Sequence, residues 1–149
     1  MELHLERPDS VPDLAKRAPR GNFAHPGLED YPGGLICSNV MVERLRKQGT
    51  SMPLSLVARW IVRRDVVSTQ RHSLILLPLF QFDCVTLRPL PHVRSVLLEL
   101  RDVLGEEELC EWFCTPNPWL AGIAPAHEVT RDPRGVLSAA RADRFVIRG

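Results

Sequence analysis

A strongly amphipathic pattern runs from Pro91 to Gly105, in the stretch PHVRSVLLELRDVLG. Its apolar residues recur at helical spacing, at Val93, Val96, Leu97, Leu100, Val103 and Leu104, and the opposite face carries Arg94, Glu99, Arg101 and Asp102. A helix of this kind has to bury its apolar face against other elements. The pattern therefore predicts a mainly α-helical fold with a compact core, and Gly105 is expected to end this helix.

Two shorter helices are predicted between residues 38 and 64. Ser38 is a plausible cap for a helix through NVMVERLRKQ, which Gly49 would end. Ser51 is a second plausible cap, and Pro53 suits the first turn of the helix that follows it. The apolar face expected for that helix comprises Leu54, Val57, Ala58 and Ile61. Two short helices joined by Gly-Thr-Ser are typical of a helix-turn-helix outline.

A small β-hairpin is predicted after this pair. The segments VVST and SLILLPLFQF are rich in residues that favour strands, and a polar turn at Gln70–His72 separates them. Pro78 indicates the edge of the sheet or the end of a strand.

Two further helices are predicted after Gly105. The stretch EEELCEWFC begins with three glutamates, where the helix dipole favours negative charge. The stretch DPRGVLSAARADRF has Asp132 as its expected cap and Pro133 at its first position, and a short basic tail follows. Between them, Thr115–Pro125 contains three prolines and a glycine, which predicts irregular structure.

The prolines also suggest a division of the 149-residue chain. Five of them fall within residues 1–33, which predicts a flexible proline-rich arm. We expect a helix-turn-helix-like segment with the first hairpin strand over residues 34–76, and a compact helical domain over residues 77–149.

Composition argues against several classes of protein. The four cysteines form no CxxC pair and the five histidines lack ligand spacing, so neither a metal site nor a cofactor is expected. The cysteines are therefore expected to be reduced and to act as small hydrophobic residues. We expect a cytoplasmic protein, because the N-terminus lacks an apolar signal core and no apolar run is long enough to cross a membrane. The sequence contains no phosphate-binding glycine loop, no paired carboxylate motif and no nucleophile elbow, so an enzyme is not expected.

The stretch WFCTPNPWLAGIAP, residues 112–125, is the most informative motif. It resembles the tryptophan, Thr-Pro-Asn, leucine, glycine-turn and proline pattern of the toxin-binding domain in Xre/MbcA/ParS-type antitoxins. Upstream, LPLFQFD at residues 77–83 resembles the Phe-Gln-Phe element that precedes the two helices in many relatives. The family's usual Gly-Gly turn is Ala121-Gly122 here. The resemblance covers roughly residues 77–145.

The resemblance implies a partner-binding protein. In that family the C-terminal domain neutralises a RES-type, NAD-degrading toxin, whose active site is blocked by the antitoxin's terminal segment. By position, residues 136–149 would contact the toxin, and a homodimer is expected, through an apolar stripe such as that of Val93–Leu104. The residues expected to bind the partner are Trp112, Pro116, Asn117, Trp119, Leu120, Arg141, Arg144 and Arg148. Trp112 is expected to contribute chiefly to the core, whereas core and partner contact remain equally open for Trp119.

DNA is a second expected partner. Residues 38–64 hold six basic side chains against one acidic, whereas residues 65–130 hold four basic and nine acidic, although the net charge of the chain is only +1. The basic set is Arg44, Arg46, Lys47, Arg59, Arg63 and Arg64. Such a surface is suited to phosphate contact. Two alternatives to an antitoxin are therefore open: a stand-alone DNA-binding regulator of a mobile element, and a non-catalytic adaptor.

Overall fold

The computed structural model describes residues 26–149, and this range confirms a mainly helical fold with a small β-sheet. The helices are α1 (Ser38–Lys47), α2 (Pro53–Val62), α3 (Pro91–Leu100), α4 (Glu106–Cys114), α5 (Pro125–Glu128) and α6 (Pro133–Arg148). The strands are β1 (Leu35–Cys37), β2 (Thr69–Arg71) and β3 (Leu74–Pro78), and 3-10 helices cover Leu28–Asp30, Leu79–Gln81 and Pro118–Leu120.

The sheet is antiparallel, with strand order β1-β3-β2. The predicted hairpin is confirmed as β2 and β3, but the turn residues are His72 and Ser73, with φ of 51° and 69°. Positive φ at both positions is the geometry of tight hairpin turns. Strand β1 was not predicted. Pro78 lies at the end of the central strand, so the strand expected through residue 82 stops there and the chain enters a 3-10 helix.

The first two helices form where predicted, with different caps. Cys37 and Met52 occupy the N-cap positions, so the capping roles expected for Ser38 and Ser51 are wrong. Gly49 follows α1 with φ of 90°, and Pro53 is the first residue of α2.

The buried face of α2 also differs from the prediction. It comprises Pro53, Val57 and Trp60, whereas Leu54 is 65% exposed and Ala58 is exposed as well. The buried face includes Trp60 because its ring packs on that of Phe82, with the ring centroids 5.6 Å apart.

Helix α3 ends at Leu100 rather than at Gly105. The guanidinium of Arg64 donates hydrogen bonds to the carbonyl oxygens of Arg101 and Leu104, at 2.8 and 3.1 Å, in the irregular turns beyond the helix. Gly105 instead precedes α4, where its N–H donates to the carboxylate of Glu108 at 2.8 Å. Arg64, from a distant part of the chain, therefore satisfies two carbonyl oxygens just beyond the end of α3.

Helix α6 begins as predicted. Asp132 Oδ1 accepts the N–H of Gly135 at 3.0 Å, and Pro133 occupies the first position. The helix then continues to Arg148, so the expected basic tail is helical.

Two apolar clusters form the core, and residues 80–82 connect them. Phe80 packs on Phe113 of the cluster around α3, α4 and α6, with centroids 5.1 Å apart, and Phe82 packs on Trp60 in the cluster of α1, α2 and β3. Between them Gln81 is fully buried; its side chain accepts the N–H of Val67 at 2.7 Å and donates to the carbonyls of Val67 and Pro78. The Phe-Gln-Phe element is thus a structural link between the two clusters.

The division predicted for the chain can be compared with the structure only in part. Residues 1–25 of the expected arm lie outside the described residues, and Tyr31 of its remaining part is buried against α4. Strand β3 spans the boundary expected between residues 76 and 77. Within residues 26–149, no helix is long and apolar enough to cross a membrane.

The apolar face of α3 is buried in the chain's own core. Val93, Val96, Leu97 and Leu100 all belong to the larger cluster and are almost fully inaccessible. Most of the stripe Val93–Leu104, along which a dimer interface is expected, therefore packs within the chain itself and is not accessible to a second copy.

Candidate partner-binding site

The carboxylate of Asp143 accepts hydrogen bonds from three side chains of the 112–125 motif. Asp143 Oδ2 accepts hydrogen bonds from Trp112 Nε1 at 2.8 Å and from Asn117 Nδ2 at 3.0 Å. Asp143 Oδ1 accepts from Trp119 Nε1 at 3.0 Å. Because Asp143 lies on α6, these bonds fasten the loop between α4 and α5 to the closing helix.

The local sequence explains how the loop reaches Asp143. Asn117 is buried, and its side-chain oxygen accepts the N–H of Trp119 at 2.9 Å, which opens the short 3-10 helix Pro118–Leu120. Ala121 and Gly122 follow with φ of 56° and 81°, and the chain then returns so that the N–H of Asn117 donates to the carbonyl of Ile123. The loop is therefore tied down by its own backbone as well as by α6.

The two tryptophans have different environments. Trp112 is half-buried and packs edge-on against the ring of Phe113, with the ring centroids 5.1 Å apart. Trp119 is 60% exposed, although its indole N–H is bound to Asp143. Of the other predicted residues in this loop, Leu120 is buried and Pro116 is exposed. Trp119 thus presents a large apolar side chain to solvent in a fixed orientation.

A groove of about 300 Å³ lies between α4 and the end of α6. Its lining residues are Leu104, Glu108, Glu111, Trp112, Thr115, Asp143, Val146 and Ile147. The end of α6 is unusually apolar for a surface, because the consecutive residues Phe145, Val146 and Ile147 are all exposed. The face formed by Trp119, the groove and residues 145–148 is named here the α6 face.

Two of the three arginines expected to reach a partner are engaged within the chain. Arg141 Nε lies 3.1 Å from Glu99 Oε2. Arg144 donates to the carbonyl of Glu99 at 2.6 Å and to both carboxylate oxygens of Asp102, at 2.5 and 3.1 Å. The hydrogen bond from Arg144 lowers the pKa of Asp102 and raises that of Arg144. These residues hold α6 against α3, whereas Arg148 is exposed at the end of α6.

The basic residues expected to bind DNA divide into two groups. Arg44, Lys47, Arg59 and Arg63 are exposed on or beside α1 and α2, and Arg46, also exposed, forms an ion pair with Glu43. Arg64 is directed into the protein, where it binds the carbonyls beyond α3. Although the Arg63 side chain is exposed, its backbone is also held near the end of α3, because the Arg63 carbonyl accepts a 2.8 Å hydrogen bond from the Arg101 side chain.

Cys110 and Cys114, both on α4, are shielded from solvent to different degrees. Cys110 is buried beside Tyr31, and burial raises the pKa of its thiol to about 12, while burial also raises the pKa of Cys114. Both thiols are therefore protonated at neutral pH, which makes them poor nucleophiles. Among residues 26–149 there is no group of three or more histidine, cysteine or acidic side chains placed to hold a metal ion.

Asp143 was missed by the sequence analysis. It lies three residues after Ala140 and seven after Val136, which places it on the buried face of α6. A carboxylate on an apolar face needs hydrogen-bond donors, and that position was the signal that could have identified it.

Searches against protein-family models, curated proteins and solved structures found no match for this chain.

Proposed function

We propose that this chain is an antitoxin-like protein that binds and neutralises a RES-type, NAD-degrading toxin in the cytoplasm through its α6 face. The observation that carries the proposal is the exposure of Trp119 while Asp143 holds its indole in place. Tryptophan is enriched among the residues that dominate binding energy at protein interfaces. A side chain already fixed before binding loses less conformational entropy on association.

The end of α6 supplies the second part of the interface. Phe145 and Val146 are 78% and 67% exposed, and Arg148 follows them at the helix terminus. Exposed apolar residues grouped in this way mark interaction sites on soluble proteins. Because Arg141 and Arg144 are held by α3, Arg148 is the arginine of this helix that we assign to the toxin.

The proposal is tested by co-expression with a RES-domain protein encoded by a neighbouring gene, with cellular NAD as the readout. The full chain should restore NAD, and a chain ending at Arg144 should fail to restore it while keeping its helical circular dichroism. A matched control, Val85→Ala, changes an exposed apolar residue away from the α6 face and should neutralise normally. Equal restoration by the shortened chain, or the absence of such a neighbouring gene, would contradict the proposal.

A second candidate function is DNA binding by α1 and α2 as a helix-turn-helix-like pair, as in a stand-alone regulator. It is favoured by the exposure of Arg44, Lys47, Arg59 and Arg63, with Glu43 the sole acidic residue on these helices. Binding should weaken steeply with salt, because phosphate contacts release counterions. A gel-shift with the surrounding genomic DNA, compared for wild type and Arg59→Ala, tests it, and no shift at low salt would exclude it. A non-catalytic adaptor would instead bind another protein through the same α6 face.

A further inference from the structure

We propose that the groove between α4 and the end of α6 binds an arginine side chain, which the toxin presents between apolar residues and whose guanidinium group donates to Glu111. The source of that arginine rests on the proposed function. The side chain that the groove accepts is a separate property, and it is measured on this chain alone. Glu111 is not among the residues expected from the sequence to bind a partner.

The groove has apolar walls on two sides. Trp112 lines it from α4, and Val146 and Ile147 line it from α6. Its volume of about 300 Å³ is at the lower end of the range for small-ligand pockets, which is about 300–1,000 Å³. A space of this size suits one long side chain better than a whole ligand.

The charge of the groove selects the side chain that can enter it. Three carboxylates line it, at Glu108, Glu111 and Asp143, and no basic side chain within residues 26–149 does so. The hydrogen bonds that Asp143 receives come from uncharged donors, so its negative charge is solvated but not neutralised. The groove therefore attracts a cation flanked by apolar groups and repels an anionic ligand.

Glu111 is the carboxylate that remains open to a ligand. Asp143 already accepts three hydrogen bonds, and Glu108 Oε1 accepts the N–H of Gly105 at 2.8 Å. No donor from the described part of the chain engages the Glu111 carboxylate. Partial burial and the nearby Glu108 raise the pKa of Glu111, which means that its charged form lacks compensation. A cation in the groove would supply that compensation.

Arginine fits this arrangement better than lysine. A guanidinium group presents parallel N–H donors that match both oxygens of one carboxylate, and it is more weakly hydrated than an ammonium group. It also stacks on aromatic rings, and Trp112 lines the groove beside Glu111. Trp119 and Phe145 are exposed on the same α6 face, where apolar neighbours of the arginine can pack.

Indole N–H signals in a nitrogen–proton correlation spectrum test the groove on the chain alone. The chain has three tryptophans, so Trp112 reports on the groove and the buried Trp60 of the other apolar cluster is an internal control. Titration with the peptide acetyl-Leu-Arg-Leu-amide should shift the Trp112 signal with a dissociation constant of about 1 mM and leave that of Trp60 in place.

Two altered peptides test the chemistry of the ligand. Citrulline in place of arginine removes the charge but keeps the shape, and should bind about fivefold or more weakly. Lysine keeps the charge but lacks the planar fork, and should bind about twofold or more weakly. A Trp112 signal that does not move at a peptide concentration about tenfold above the expected dissociation constant would overturn the proposal. Citrulline or lysine peptides that bind as tightly as the arginine peptide would also overturn it.

Glu111→Gln tests the acceptor, because it removes the charge and keeps the size of the side chain. It should weaken the arginine peptide about fivefold or more. Glu106→Gln is the matched control, since Glu106 is exposed on the same helix and does not line the groove, and it should bind the peptide as wild type does. Equal binding by the Glu111→Gln and Glu106→Gln proteins would contradict the role of Glu111, and circular dichroism shows whether each variant is folded.

Calorimetry with the RES-domain protein tests the source of the arginine. Glu111→Arg places like charge against the toxin's arginine and should raise the dissociation constant about tenfold or more, whereas Glu106→Arg should change it little. Toxin binding that requires Trp119 but is unaffected by Glu111→Arg would overturn this site and leave the proposed function standing. No binding of the RES-domain protein to wild type would overturn both.

Discussion

The indole N–H of Trp119 donates a 3.0 Å hydrogen bond to Asp143, although the Trp119 side chain is 60% exposed. An exposed tryptophan is usually free to sample several rotamers. Here the same carboxylate also binds Trp112 and Asn117, so the loop after α4, the closing helix and the exposed ring form one connected unit. Removing the carboxylate should therefore affect both stability and binding.

Asp143→Asn tests the stabilising part of that unit. An amide has one oxygen to accept with, so at least one of the three N–H donors loses its partner, and the half-buried Trp112 N–H is costly to leave unpaired. We expect the free energy of unfolding to fall by about 2 kcal/mol, measured by urea denaturation. Glu106→Gln changes an exposed carboxylate on α4 and serves as control; an equal loss in both variants would contradict this role for Asp143.

Gln81→Leu tests the link between the two apolar clusters. Leucine fills most of the volume of the glutamine but leaves the Val67 N–H and the carbonyls of Val67 and Pro78 without their partner. Each buried polar group left unpaired costs about 1–3 kcal/mol, so we expect a loss of at least about 2 kcal/mol in unfolding free energy. Gln70→Leu, at the exposed position of β2, should change stability little, and a Gln81→Leu protein as stable as wild type would refute the assignment.

Ala121→Gly should stabilise the protein. Ala121 has φ of 56°, a left-handed conformation that glycine adopts without the steric cost that a Cβ brings. The greater entropy of glycine in the unfolded chain offsets part of the gain. We therefore expect the free energy of unfolding to rise by about 0.5 kcal/mol, measured by thermal denaturation. The same change at Ala58, which is exposed in α2, should destabilise by about 1 kcal/mol. If both substitutions lowered the free energy of unfolding, the turn at Ala121 would not be strained.

The ion pair of Asp102 and Arg144 should make the attachment of α6 sensitive to acid. The hydrogen bond from Arg144 lowers the folded-state pKa of Asp102 below its ordinary value of 3.8. A lowered folded-state pKa contributes stability that is present above the unfolded pKa and is lost as the pH falls through the folded pKa. The difference in melting temperature between wild type and Asp102→Asn should therefore shrink as the pH falls below about 4. A difference that stays constant from pH 6 to pH 3 would show that the pair does not stabilise α6.

The elements that were predicted correctly from the sequence are those determined by residues close to one another in the chain. Pro53, Pro91 and Pro133 each occupy the first turn of a helix, and Asp132 caps α6 through a residue three positions away. Strand β1 was missed because three residues are too few to show a period, and its pairing with β3 joins residues about forty positions apart.

The site was harder to find for a similar reason. Trp112 and Trp119 were identified from the motif, but the hydrogen bonds that orient them join residues 24 to 31 positions apart. Just beyond the end of α3, the carbonyl of Arg101 accepts a hydrogen bond from Arg64, which is 37 positions away. Local pattern carries no information about such contacts, because they form only when the helices pack.

Binding of the RES-domain protein to Trp119→Ala, measured by isothermal titration calorimetry, tests the central claim most directly. Loss of a tryptophan that anchors an interface costs about 2 kcal/mol or more, so the dissociation constant should rise roughly thirtyfold. Trp119→Phe, which keeps most of the apolar ring but loses the hydrogen bond to Asp143, should fall between Trp119→Ala and wild type. Val85→Ala, an exposed apolar control, should bind as wild type. A Trp119→Ala protein that remains folded and binds as tightly as wild type would contradict the account.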